Sequence, residues 1–217
     1  SAGTAYLNVA QTSMLFRAML DAMDRWAKDG VPPPPSRYPT RADGTLVPYA
    51  VWKTQFPAIP GQPIPQGLNE LPFMDFGPNA AAGILEQEPP LVLNEAAYTV
   101  LAPAVDADGI DTSGVAAPMV QAPLGTYVGW NVRQRGHGGG ATHEFSGGYI
   151  PFPETPEVRA ATGDPRRSIL ERYGDPAGYI AAIRKAAEAL VRDGYMLEED
   201  IERSVARAAD WSRPLHD

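Results

Sequence analysis

Apolar positions at Leu15, Ala18, Met19, Ala22 and Trp26 recur at helical spacing and predict a helix over 14–29. Thr12 or Ser13 can cap its start. Gly30 and the run Val31 to Pro35 end it, because proline has no amide to donate and favours an extended backbone. A second helical pattern, Ile180, Ile183, Ala187, Leu190 and Val191, predicts an amphipathic helix over 179–192 that stops at Gly194. A third starts near Glu198. Its acidic residues Glu198, Glu199 and Asp200 suit a helix N-terminus, and Ile201, Val205, Ala208 and Trp211 form its inward face. The short connection between these two makes an antiparallel pair. Pro156 to Gly174 reads as two short helices broken at Gly163-Asp164-Pro165.

The strand-type pattern is concentrated in residues 98–149. Thr99 to Val105 predicts a buried strand ended by the turn Asp106-Ala107-Asp108-Gly109, and Val115 to Val120 fits a returning hairpin partner. In Leu124 to Asn131, glycines at 125 and 129 bracket aromatic residues, as happens where backbone passes close to another surface or a strand bulges. From Ser36 to Pro90 prolines recur without a period, with short extended pieces at Thr45 to Val51 and Phe56 to Ile59. That section is expected to cross a surface rather than form a core of its own.

Composition narrows the function classes. The chain has 217 residues, 44% of them hydrophobic, which is enough for one well-cored domain or two small ones. Its 21 glycines and 23 prolines are about a fifth of the chain, against an average of roughly 12%, so turns and extended segments are abundant. A net charge of −8 argues against a nucleic-acid partner. Without cysteine there is no disulfide frame and no thiolate metal site. No apolar run approaches the roughly 18 residues of a membrane span, so no membrane partner is expected. No signal peptide is visible, but the chain starts at Ser1 without an initiator methionine, so an upstream part is expected to lie outside it and the compartment is left open between periplasmic or secreted, with a signal peptide removed, and cytoplasmic.

A set of short motifs occurs in order: Arg17 to Trp26, Pro33-Pro34-Pro35-Ser36-Arg37-Tyr38-Pro39, Asp43-Gly44-Thr45-Leu46-Val47 and Phe56 to Gly61, then Pro103 to Gly109, Leu124 to Asn131, and Ala161 to Arg166 leading to Glu171-Arg172-Tyr173-Gly174. Together, over roughly residues 14 to 209, they resemble the C-terminal portion of a bacterial family of large, mostly uncharacterised proteins assigned to an alpha/beta hydrolase domain. The resemblance implies a hydrolase acting on carboxylic ester or amide bonds. The family's serine nucleophile sits in a G-x-S-x-G motif upstream of this portion, and none of the 217 residues form one. Glu144-Phe145-Ser146-Gly147-Gly148 comes nearest but has glutamate where the elbow needs glycine. The family's catalytic histidine is placed just before the first helix, near a Gly-Thr that Gly3-Thr4 matches, and here Ala5 and Tyr6 follow.

Candidate chemistry is sparse. Tyr127, Trp130 and Asn131 offer an aromatic wall with an amide, suited to holding an ester or amide substrate, or else packing in the core. His137-Gly138-Gly139-Gly140 matches the oxyanion loop of lipases, which there precedes the nucleophile elbow, or else is a plain glycine loop. His137 is thus a candidate for substrate binding and for catalysis. Ser1 is a candidate N-terminal nucleophile, or simply a chain end. His137, His143 and Glu144 do not have a standard zinc spacing, His216 is expected to be solvated, and no metal or cofactor is expected. Asp106 to Gly109 lacks the distant glutamate of a calcium loop and reads as a turn, though Asp106 or Asp108 can supply a triad acid.

The expectation is an α+β chain, part of an α/β-hydrolase-like protein. It is one domain, or the accessory half of a larger hydrolase, with a helix at 14–30, a proline-rich extended section at 31–97, a β and glycine-rich core at 98–150 and a helical part at 151–217. Its expected partners are an upstream catalytic part or partner chain and a small ester or amide substrate. The alternatives are a non-catalytic binding or assembly domain, and a self-contained enzyme using Ser1 or His137.

Overall fold

The structure, a computed structural model, describes residues 2–67, 72–97, 99–143 and 147–209, with only the backbone at 94–97. Its elements run β1 (Tyr6–Leu7), α1 (Ser13–Asp29), β2 (Leu46–Pro48), α2 (Tyr49–Gln55), β3 (Pro72–Asp75), β4 (Leu91–Ala97), β5 (Leu101–Pro103), α3 (Pro118–Gln121), β6 (Gly125–Val128), β7 (Gly148–Pro151), α4 (Pro156–Thr162), α5 (Ile169–Tyr173), α6 (Pro176–Arg192) and α7 (Asp200–Ala209). The architecture is α+β. An antiparallel sheet in the order β1-β7-β6 lies at its centre, and β2–β5 and β3–β4 form separate antiparallel pairs.

Every residue of β6 is buried, so this strand has no solvated face. Gly125 permits its close approach to β7: a Cβ there would lie 2.6 Å from the Ile150 carbonyl oxygen and 2.6 Å from the Tyr149 ring. One apolar cluster joins Val128 and Ile150 to Trp52, Phe56, Ile59 and Ala102. A second joins Leu124 and Phe152 to Ile169, Tyr179, Ile183 and Ala208, bringing the carboxy-terminal helices onto the other end of the sheet. The third, Ala187, Leu190 and Met196, receives Met14 and Leu15 from the start of α1.

The helices follow the sequence pattern closely. Asp175 accepts a hydrogen bond from the Gly178 amide at 2.8 Å to start α6, and Gly30 ends α1 in the left-handed region at φ 70°. Four expectations are corrected. Val115 to Val120 is not a return strand: Pro118 lacks the donor for a ladder and opens α3, and β5 pairs instead with β2. The strand expected over Thr99 to Val105 is regular only at Leu101–Pro103; beyond it Val105 bridges Asp111 across the 106–109 turn. Thr45 to Val51 is not wholly extended, because α2 begins at Tyr49. The proline-rich section does more than cross a surface, since Trp52, Phe56 and Ile59 are core residues and β3–β4 form a hairpin-like pair within it. Trp211 lies outside the described residues.

The central sheet is tied to the helical part by Arg166, whose side chain is only 1% exposed. A guanidinium has five N–H donors, and here each has an acceptor. Nε and Nη2 reach the two Asp164 carboxylate oxygens at 2.9 and 2.6 Å, Nη1 reaches Thr126 Oγ1 at 2.8 Å and the Ile150 carbonyl at 3.0 Å, and Nη2 also reaches the Pro151 carbonyl at 3.0 Å. Burial alone would raise the Asp164 carboxyl, but hydrogen bonds from the Arg166 side chain and amide, with the charge of that guanidinium, more than offset it and hold the group below its ordinary value. Arg166→Met should therefore cost about 3–5 kcal/mol in urea unfolding, because it leaves Asp164 buried without its cation. In the unsubstituted protein the Asp164 contribution is fully present above the unfolded carboxylate's pKa and is lost as pH falls through the lower folded value, so acid titration of stability should lose this contribution in Arg166→Met.

Candidate functional site

The segment 132–142 closes on itself. Val132 bridges Thr142, the Arg133 amide donates to Ala141 at 2.8 Å, and His137 and Gly140 donate to the carbonyls of Gln134 and Arg133 at 3.0 and 3.2 Å. Among the described residues the amides of Gly138 and Gly139 have no acceptor, and the His137 side chain has no hydrogen bond. The loop is exposed and borders a groove of about 460 Å³ lined by Thr4, Pro63, Arg133, Arg135, Gly136 and Gly139 among others.

The sequence-predicted wall lies behind this loop, and none of its residues lines the groove. Tyr127 is buried with its ring 4.9 Å from that of Tyr149, and burial pushes its phenol far above the ordinary value. Trp130 is half-buried against Phe56 at 5.5 Å and edge-on to Trp52 at 6.1 Å. Asn131 is 1% exposed with both ends of its side-chain amide hydrogen-bonded: Oδ1 accepts from the Ala5 and Val132 amides at 3.1 and 2.9 Å, and Nδ2 donates to the Ala5 carbonyl at 3.0 Å. Its backbone carbonyl accepts the His143 amide at 2.7 Å. The wall thus fixes the base of the glycine loop and the amino-terminal segment together, while His137 stands at the loop's exposed end. Ser1, Glu144 and His216 lie outside the described residues, and among the described residues no group of three His, Asp or Glu is placed to hold a metal ion.

A second concavity, of about 620 Å³, was not visible as a sequence pattern. It lies between the 106–111 turn, α3, α5 and α6. Asp106 organises the turn, its Oδ1 accepting the Asp108 and Ile110 amides at 2.9 and 3.0 Å. Asp108 is paired through both oxygens with Arg172, whose guanidinium lies 4.1 Å from the Phe152 ring centre. The Thr126 hydroxyl, which accepts from Arg166, donates to the Asp108 carbonyl. Three of the sequence motifs, around Asp106, Thr126 and Arg166 to Arg172, therefore meet in one polar network beside this cavity. The signal available in the sequence was the complementary charge of Asp108 and Arg172, which spacing alone cannot pair across 64 positions.

The chain belongs to the alpha/beta hydrolase domain family, whose model matches residues 2–206. No curated protein and no solved structure matches it. The matched span includes the wall, the glycine loop and the polar network.

The two parts of the predicted site should separate on mutation. Trp130→Ala should cost about 3 kcal/mol of stability, and Asn131→Ala about 1–3 kcal/mol, because the Ala5 amide and carbonyl lose buried partners. His137→Ala should change urea unfolding by no more than about 0.5 kcal/mol, as an exposed side chain without hydrogen bonds does.

Proposed function

We propose that this chain is the accessory part of a hydrolase acting on carboxylic ester or amide bonds, whose serine nucleophile is carried by polypeptide outside these 217 residues. Family membership supports the hydrolase class. The observation that carries the rest is the outer face of α1. Ala18 and Ala22 are buried against the body, while Phe16, Met19, Leu20, Met23 and Trp26 stand 55–70% exposed, Met19 and Trp26 beside the alanine stripe and Phe16, Leu20 and Met23 farther round the helix. Small residues inward and large ones outward is the reverse of an ordinary surface helix. Each of these five exposes on the order of 100 Å² of side chain, roughly 500–600 Å² in all, at the upper end for the largest apolar patch of a monomer.

The occupant this face fits is an apolar protein surface. The flanking charges are balanced, with Asp21 paired to Arg25, Asp24 to Lys28, and Arg17 to Asp200, so the face presents no net field to an anionic lipid surface. The segment bearing the nucleophile elbow is the occupant consistent with an alpha/beta hydrolase domain that contains no G-x-S-x-G motif. In this reading the glycine loop with His137 borders the assembled substrate site. Trp130 and Asn131 hold the loop in place, and Tyr127 backs the sheet beneath it.

The isolated chain should not turn over a small aryl ester; turnover abolished by Ser1→Ala or His137→Ala would overturn the reading in favour of a self-contained enzyme. Captured on the tagged chain, the partner should contain a serine that reacts with a fluorophosphonate. Capture should fail with Phe16→Ser/Leu20→Ser/Met23→Ser, which leaves the inward face of α1 intact and should leave melting little changed. A captured polypeptide without a reactive serine would make the chain a binding or assembly domain instead.

A further inference from the structure

No described residue from 72 to 93 is buried, and the three apolar clusters of the body take none of their members from the β3–β4 ribbon. The ribbon is nonetheless built. Its strands pair, the Asp75 carboxylate accepts the Gly77 amide at 2.8 Å, the Phe76 carbonyl accepts the Glu86 and Gln87 amides at 3.0 and 3.1 Å, and Asn79 donates to Glu86 at 2.9 Å. The register sets Phe73 opposite Leu93 and Met74 opposite Val92, so Phe73, Leu91 and Leu93 share one face and Met74 and Val92 the other. These five, with Ile84 and Leu85 at the tip, stand 38–58% exposed. Neither face is therefore a polar one of the kind a solvated ribbon shows, and two strands alone are marginally stable in water.

The two edges of the ribbon differ. β3 is blunted by Pro72, which has no amide to donate, and by the charge of Asp75. β4 opens with Leu91-Val92-Leu93, which carries neither charge nor proline, and among the described residues this strand pairs with β3 alone. The triplet reads the same in both directions. We propose that the ribbon is a self-association surface, in which β4 pairs antiparallel with β4 of a second copy about a two-fold axis at Val92. Leu91 then meets Leu93 of the other copy and Val92 meets its own counterpart, so the seam is made of aliphatic cross-strand pairs. Charge selects this direction. Residues 54–132 contain no lysine or arginine, and a parallel pairing would stack the acids of the two ribbons. Antiparallel about Val92, the backbone positions of Asp75, Glu88 and Glu95 lie roughly 15–25 Å from those of the second copy at ordinary strand spacing, beyond the screening length of about 8 Å. The seven apolar side chains offer on the order of 600 Å² per copy. The pair thus covers at most about 1,200 Å², the lower end for a specific interface, which makes the dimer a reversible one. The inference does not depend on where the hydrolytic nucleophile lies.

The test is sedimentation equilibrium of the chain carrying Phe16→Ser/Leu20→Ser/Met23→Ser, which strips the exposed face of α1 and leaves the ribbon. This chain should dimerise reversibly at concentrations up to the order of 100 μM. Adding Val92→Lys, at an exposed position, should keep the melting temperature and weaken dimerisation at least tenfold, because it sets two like charges against each other across the axis. Val92→Glu should do the same. An equimolar mixture of the Val92→Lys and Val92→Glu chains should regain the dimer, since opposite charges then meet at the seam. A monomer throughout that concentration range, a dimer indifferent to Val92→Lys, or no recovery on mixing would each overturn the proposal.

Discussion

A buried arginine whose five N–H donors all find acceptors is the constraint from which this architecture follows. Taking a guanidinium out of water is tolerable only when a carboxylate and well-placed carbonyls replace the lost hydration. Asp164, Thr126, Ile150 and Pro151 supply that replacement around Arg166. Because the acceptors come from β6, β7 and the link between α4 and α5, the charge can be buried only when sheet and helices are in register. The same cation then fixes Thr126, whose hydroxyl holds the Asp108 carbonyl, and Asp108 in turn holds Arg172 over Phe152. One desolvated charge thereby sets the walls of the larger cavity, which lies beside the pair rather than over it.

The chain's helices use residue size in two opposite ways. On α6, alanines toward α3 leave a concavity, while Ile183 and Leu190 fill the core. On α1, alanines let the helix sit close to the body, and the bulky residues are left outside. Apolar surface outside is costly unless something covers it. The contrast leaves an apolar face on α1 and a concavity beside α6.

What could be read from the sequence was whatever is periodic. The helices at 13–29, 176–192 and 200–209, the break at Gly163-Asp164-Pro165 and the turn at 106–109 follow from spacing, proline and glycine. Pairing of strands did not follow. Leu101–Pro103 had a nearby apolar segment at 115–120 to suggest a partner, and the true partner, Leu46–Pro48, lies more than fifty residues earlier inside a section dominated by proline. The wall at Leu124 to Asn131 was recognisable as special, but the glycines did not reveal that Gly125 serves a β-strand contact while a side chain at Gly129 would meet open space.

By itself the sequence determined the α+β class, the helices and the family resemblance, because backbone propensity and local pattern are properties of neighbouring residues. Tertiary structure decided which charges are paired, which aromatic residues are core and which apolar face stays uncovered. Those depend on distances between segments, and nothing in the spacing of Asp108 and Arg172, or of Asn131 and Ala5, encodes that they meet. The sequence showed α1 to be amphipathic; only packing showed that Ala18 and Ala22, not Phe16, Leu20 and Met23, are the buried ones, because which stripe of a helix meets the body is set by the segments it packs on.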